Sequence, residues 1–299
     1  MSVSLSYLAD PVPPEHIADL IVKEAAAISR ISNYWCEPYF FLRGAGRGLA
    51  GLTKVSLAGY SARDGTYVTG WGIGAFANPH GIFIANDVAY LTDRDDSVCL
   101  TYTLDGKPLS VLGTRGQHSD TGCEKPGTLV PRAAGPFNYP TEMVPSPSGD
   151  LYVTDGYRNA RVHRFSHAGQ LLSSWGGPGK TEPNQFHLPH SLIADADGAI
   201  SVCDRENNRI QVFSGDGKFL TIWPDLRRPL DISMDREGIF YISEGGVSGL
   251  SPRVSLMDTQ GKVIARWDSL SAHGSWVDAH GDIYMALGSR ERVDKYVRV

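Results

Sequence analysis

Between Gln185 and Trp223 the chain lays out short apolar runs parted by polar turns. S-L-I-A (Ser191 to Ala194) is followed by D-A-D-G, and A-I-S-V-C (Ala199 to Cys203) by R-E-N-N. R-I-Q-V-F-S (Arg209 to Ser214) then leads through G-D-G-K into F-L-T-I-W (Phe219 to Trp223). Runs this short with turns this tight predict four antiparallel strands. The Asp-Gly and Asn pairs supply the positive backbone angles that short hairpins need. Such a sheet has two apolar faces and does not stand alone.

The unit recurs. Copies open as P-H-G-I-F-I-A at Pro79, P-T-E-M-V-P-S at Pro140, P-H-S-L-I-A-D at Pro189, P-L-D-I-S-M-D at Pro229 and A-H-G-S-W-V-D at Ala272. The second position of each falls at 80, 141, 190, 230 and 273, giving offsets of 61, 49, 40 and 43. Four strands repeating at that interval predict a β-propeller. Most copies close on a tryptophan, at Trp71, Trp175, Trp223 or Trp267, and one more copy fits upstream through Y-F-F-L-R-G, L-T-K-V-S-L and T-Y-V-T-G-W. The expected fold is all-β, a six-bladed propeller of one domain over residues 1–299 with its blades in 31–299.

Two terminal expectations follow. The last copy ends on its third strand, K-Y-V-R-V, so the alternating segment 2–8 is expected to add the fourth and close the ring. Residues 14–28, P-E-H-I-A-D-L-I-V-K-E-A-A-A-I, read as a short amphipathic helix with proline near its start. A Gly, Pro and Thr-rich segment from Gly113 to Phe137 accounts for the longest offset, and loops of that length act as lids or are disordered insertions.

The second position of the copies carries the chemistry. It is His80, Thr141, His190, Leu230 and His273, so histidine occupies every other copy. In a six-fold ring alternate blades are about 120° apart and their innermost strands line the axial channel. Three imidazoles at one height then converge on a point, as in a metal site with open positions for water or substrate. Imidazole suits zinc, with other divalent transition metals as alternatives. A lone channel histidine is more often simply hydrogen-bonded, and the alternation in phase is what favours ligation. The other histidines, His16, His118, His163, His167, His187 and His280, fall on turns or outer strands, where solvation is the default, with His187 near the channel mouth.

In D-G-Y-R-N-A-R and D-R-E-N-N-R, Asp155 matches Asp204 and Arg161 matches Arg209, which reads as a structural pair tying adjacent strands. Tyr157 differs, because it leaves the second strand of its copy towards the same channel mouth. A phenol acts as a base near neutral pH only beside a cation or metal. Arg43, in F-F-L-R-G, can be that cation.

Charge and cysteine usage narrow the partners. The net charge is -5 and the 28 Lys and Arg are scattered, so no nucleic-acid partner is expected. No apolar run of about 18 residues exists, which removes a membrane span. The start lacks a basic, then apolar, secretory signal. Cys36, Cys99, Cys123 and Cys203 lie far apart without metal-type spacing, as free thiols of a cytoplasmic protein do. A small molecule in the channel is the expected partner of a monomer or weak homo-oligomer.

V-T-D-G-Y-R-N-A-R-V-H-R-F, Q-F-H-L-P-H-S-L and D-R-E-N-N-R-I-Q-V-F resemble the peptidyl-α-hydroxyglycine α-amidating lyase family, six-bladed propellers of the NHL-repeat type. The match is dense from about Asn138 to Phe213, with F-L-R-G and N-P-H-G-I agreeing outside it. The resemblance implies zinc on His80, His190 and His273, with Tyr157 and Arg43 as catalytic residues. It also implies cleavage of a carbinolamide at its C–N bond into an amide and glyoxylate. Three positions depart from the family. Ser271 replaces a methionine, and Arg158 replaces a half-cystine beside the tyrosine. Gly274 stands where an aspartate serves a structural calcium, so that calcium lacks its side-chain ligand. A metal-dependent lyase on a small carbinolamide is the leading expectation. The alternatives are a hydrolase or lactonase using the same channel and a non-catalytic NHL binding module.

Overall fold

The tight-turned apolar runs become strands that pair with their sequence neighbours. The computed structural model describes residues 70–72, 74–287 and 293–297 in full and, by backbone alone, further strand residues at 4–8, 25–30, 39–44, 57–61, 67–69 and 292. The strands are β1 (Ser4–Leu8), β2 (Ala25–Arg30), β3 (Tyr39–Gly44), β4 (Leu57–Ser61), β5 (Tyr67–Trp71), β6 (Pro79–Ala85), β7 (Val88–Asp93), β8 (Val98–Thr103) and β9 (Pro108–Leu112). They continue as β10 (Pro140–Pro145), β11 (Leu151–Asp155), β12 (Arg161–Phe165), β13 (Leu171–Trp175), β14 (Gly177–Pro178), β15 (Gln185–Phe186), β16 (Pro189–Ala194), β17 (Ile200–Asp204), β18 (Arg209–Phe213) and β19 (Phe219–Trp223). The last are β20 (Pro229–Met234), β21 (Phe240–Glu244), β22 (Arg253–Met257), β23 (Val263–Asp268), β24 (Gly274–Val277), β25 (Ile283–Leu287) and β26 (Arg292–Tyr296).

The architecture is an all-β propeller. The sheets β6–β9, β10–β13, β16–β19 and β20–β23 are four-stranded antiparallel meanders, and β1 adds to β26 to complete the sheet of β24–β26. These are the five blades whose side chains are largely described. Strands β2–β5 pair in the same order. The innermost strands adjoin in the order β6, β10, β16, β20, β24, with β2 between β24 and β6. The addition of β1 sets Ser4 opposite Tyr296 and Leu8 opposite Arg292, covering the edge of β26.

The expected helix over 14–28 is corrected where the chain is described. Residues 25–28 begin β2, with Ile28 opposite Leu42, while 14–24 lie outside the described residues. Alanine's helix preference is a weak prior, and pairing with β3 overrides it. Among the described residues the helical content is a 3₁₀ turn at Arg205–Asn207.

The core lies between sheets. Trp175, at the outer end of its blade, packs with buried Tyr152, Phe186 and Phe213. The turn of the next blade crosses its indole, where a Cβ on Gly217 would sit 2.7 Å from the ring and φ is +87°, so the Asp-Gly turn is required twice over. A buried carboxylate ends the second strand of each of four blades and accepts backbone N–H groups from the chain entering that blade. Asp93 takes Ala77 and Asn78 at 2.7 and 2.9 Å, Asp155 takes Asn138 at 3.0 Å, and Asp204 takes His187 at 2.8 Å. Glu244 does the same for Arg227. These acids fix where each innermost strand begins.

Cys99, Cys123 and Cys203 are free and buried, and Cys36 lies outside the described residues. Among the described residues no helix is long and apolar enough to cross a membrane.

Candidate metal centre

The entry to each innermost strand is irregular in a way that aims its first side chains. Pro79 pairs with Asp93 and Ile82 with Leu91, so His80 and Gly81 stand opposite Thr92 alone. Pro189 and Leu192 likewise bracket His190 and Ser191 against Cys203. Such bulges turn a side chain out of the pleat, and proline is tolerated because it is the first residue of its strand. The residues before three of these prolines, Tyr139, Leu188 and Arg228, hold φ of +65°, +65° and +43°. That backbone is strained for bulky side chains and is held by the surrounding structure.

The three predicted histidines meet. Ring centroids of His80 and His190 are 4.9 Å apart, His80 and His273 5.0 Å, and His190 and His273 4.8 Å, each pair crossing edge-on at 77–80°. One ring nitrogen from each lies within 4.8 Å of the others, so the trio can hold a metal ion. His80 and His190 are buried. His80 Nδ1 lies 2.7 Å from the Thr141 carbonyl oxygen and His190 Nδ1 2.6 Å from that of Leu230. A carbonyl only accepts, so each Nδ1 carries a proton and each ring turns Nε2 inward, the nitrogen that offers a lone pair in that tautomer. This is how metal-binding imidazoles are usually held, with the outer nitrogen donating and the inner one free to coordinate. Thr141 and Leu230, which stand where the other copies have histidine, therefore supply the orienting carbonyls.

Tyr157 joins the same point. Its hydroxyl oxygen is 3.1 Å from His80 Nε2 and 3.2 Å from His190 Nε2. Gly156 places it: a Cβ there would come 2.0 Å from the Pro189 carbonyl oxygen, so only glycine lets this turn lie against the neighbouring blade. The Gly113 to Phe137 segment packs over the turn from outside. Gly127 N donates to Tyr157 O at 2.7 Å, Thr121 Oγ1 to Arg158 O at 2.6 Å, and Arg158 Nη2 to Cys123 O at 2.6 Å.

Two cations that the sequence reading did not name stand beside the phenol. Arg43 lies on β3, and its side chain is outside the described residues. Arg205 Nη1 is 3.4 Å from the Tyr157 hydroxyl, and the guanidinium carbons of Arg205 and Arg94 lie 5.5 and 5.3 Å from its ring centre. A register signal for both exists in the sequence. Each directly follows the acid that ends a second strand, Asp93 or Asp204, as Gly156 follows Asp155. The predicted structural pair holds at Arg209, 2.8 Å from Asp204, whereas Arg161 donates to the Gly176 carbonyl instead. His163, expected on the surface, is fully buried, bonded to Ser174 at 2.7 Å and 3.4 Å from Asp155. Burial lowers the pKa of His187.

The NHL-repeat family matches residues 186–213. Human NHL repeat-containing protein 3 is 30% identical over 256 residues, covering 78% of this chain and 70% of that protein. The chain belongs to the NHL-repeat family. It is also similar to amidating enzymes. A probable peptidyl-alpha-hydroxyglycine alpha-amidating lyase from Caenorhabditis elegans is 28% identical over 190 residues, 63% of this chain and 51% of that one. The mouse peptidyl-glycine alpha-amidating monooxygenase is 31% identical over 181 residues, 58% of this chain but 17% of that protein. Among solved structures, this NHL-repeat chain is similar to a virginiamycin B lyase from Staphylococcus aureus with quinupristin, at a TM-score of 0.62, 11% identity and full coverage of both chains. At that identity the likeness is one of fold.

Proposed function

We propose that this protein is a metal-dependent lyase that cleaves an N-acyl-α-hydroxyglycine or related carbinolamide into an amide and glyoxylate. The observation that carries the reading is a phenol hydroxyl within 3.2 Å of two inward-facing imidazole nitrogens, on a chain similar to amidating lyases. A binding module has no need of a phenol buttressed in this way. We infer further that the ring closes with six blades, supported by the place of β2 between β24 and β6.

His80, His190 and His273 are the residues that would hold the ion, with zinc the expected choice. A divalent ion held there would supply Lewis-acid charge to the reaction. The Tyr157 phenol oxygen is the group that takes the proton of the substrate hydroxyl. The carbinol carbon then forms its C=O bond as the C–N bond breaks, and the nitrogen takes up a proton to leave as the amide. No electrons are exchanged with a cofactor. Arg205, at 3.4 Å, compensates charge on the phenol oxygen. Arg43 and Arg94 are the remaining candidates to hold the substrate carboxylate, as a guanidinium fork does well.

Elemental analysis with an assay of glyoxylate release from N-benzoyl-α-hydroxyglycine tests this. About one divalent ion per chain is expected in the purified protein, lost in His190→Ala. Tyr157→Phe should keep the ion and lose at least about 10²-fold in kcat, the usual size of a lost general base. A metal-free protein, or a fully active Tyr157→Phe, would overturn the reading.

A further inference from the structure

From Tyr157, which touches the histidines, guanidinium groups and phenol rings follow one another in alternation. Arg205 and Arg94 flank Tyr157 at 5.5 and 5.3 Å, Arg94 also lies 5.4 Å from the ring of Tyr139, and Arg158 lies 5.1 Å from that ring. Three cations are thus spread along two aromatic faces, an arrangement that holds Arg side chains in place while leaving their edges to bind.

The three cations are not equivalent. Arg94 is ion-paired with Asp95 at 2.7 Å and Arg205 with Glu206 at 2.9 Å. Arg158 has no ion pair with a carboxylate among the described residues. Its Nη2 donates to the Cys123 carbonyl at 2.6 Å, and its buried Nε meets no acceptor. The far end of the stack therefore presents a half-buried, oriented and uncompensated positive charge, one residue along the chain from Tyr157. A partly desolvated cation of this kind favours an anion more than an exposed one does.

We propose that Arg158 is the subsite for a second carboxylate of the substrate, so that the molecule cleaved is an N-acyl-α-hydroxyglycine whose acyl chain itself ends in a carboxylate. This rests on the lyase reading above. A ring, a guanidinium and a second ring separate Arg158 from the Tyr157 hydroxyl along the stack. On this assignment Arg43 or Arg94 holds the hydroxyglycine carboxylate beside the reacting carbon, and the group at Arg158 belongs to the far side of the amide. A planar carboxylate matches the guanidinium edge.

Calorimetric binding of N-succinylglycine against N-butyrylglycine reads this without turnover, because neither carries the hydroxyl that is cleaved. The diacid should bind the wild-type protein about tenfold or more tightly, in line with one charge-assisted contact, and the ratio should shrink as salt is raised. In R158Q the ratio should fall to within about twofold of unity, and R158K should restore part of it. Equal affinities in the wild type, or a preference that survives in R158Q, would overturn the proposal. Should R158Q fail to fold, the wild-type ratio and R158K still decide. Glyoxylate release from N-succinyl-α-hydroxyglycine separates the two readings. A preference for the diacid without release keeps the subsite and rejects the lyase, and release without preference does the reverse.

Discussion

Asp231 shows how one side chain ties the axis together. It follows Leu230, whose carbonyl orients His190, and its carboxylate accepts the Ser191 hydroxyl at 2.6 Å, Ser275 N at 2.7 Å and Ile232 N at 3.0 Å. Three blades therefore converge on it. Burial outweighs these donors and pushes its pKa from 3.8 up to about 6. For an acid raised in the folded state, the stabilising contribution is present below about pH 4 and lost as pH rises through about 6. Asp231→Asn escapes that loss. Urea unfolding at pH 4 to 7 should show the stability difference moving in favour of the variant by up to about 3 kcal/mol across that interval. A difference that does not change with pH would contradict the assignment.

At the scale of the element, the turn after β11 decides the site. Gly156→Ala forces a methyl group onto the Pro189 carbonyl and moves Tyr157 off the histidines. We expect about 1–3 kcal/mol of destabilisation from the overpacking and at least about a tenfold loss of kcat, since a small misplacement of a reacting group is costly. Chemical denaturation and the glyoxylate assay check the two. The strands from Pro79 onward were legible because most are parted by tight turns rich in Gly, Asp and Asn, which allow few other conformations. Residues 25–28 were not, because A-A-A-I carries no turn signal and continues a run whose spacing also suits a helix. The histidines were legible through their phase in the repeat. Arg205 was not, because D-R-E-N-N-R serves two purposes at once: Arg209 holds Asp204 while Arg205, four residues earlier, faces the phenol.

For the whole molecule, closure depends on pairing between segments at opposite ends of the sequence. Removing residues 1–8 uncovers β26, with its row of unpaired backbone groups. The truncated protein should unfold at lower denaturant and associate at higher concentration, which light scattering and urea titration would report. An unchanged midpoint would show that β1 contributes little to closure. The ring itself was foreseeable from the spacing of the repeats, whereas the packing of residues 113–137 over the Tyr157 turn depends on backbone contacts that composition does not encode.

The three imidazoles come from blades far apart along the chain, the third at position 273. During synthesis the first two are available long before the third emerges, so no nascent fragment offers the complete set. Loading of the ion would then be among the last events of maturation, and a chain stalled short of its final sheet would leave the ribosome unable to retain one.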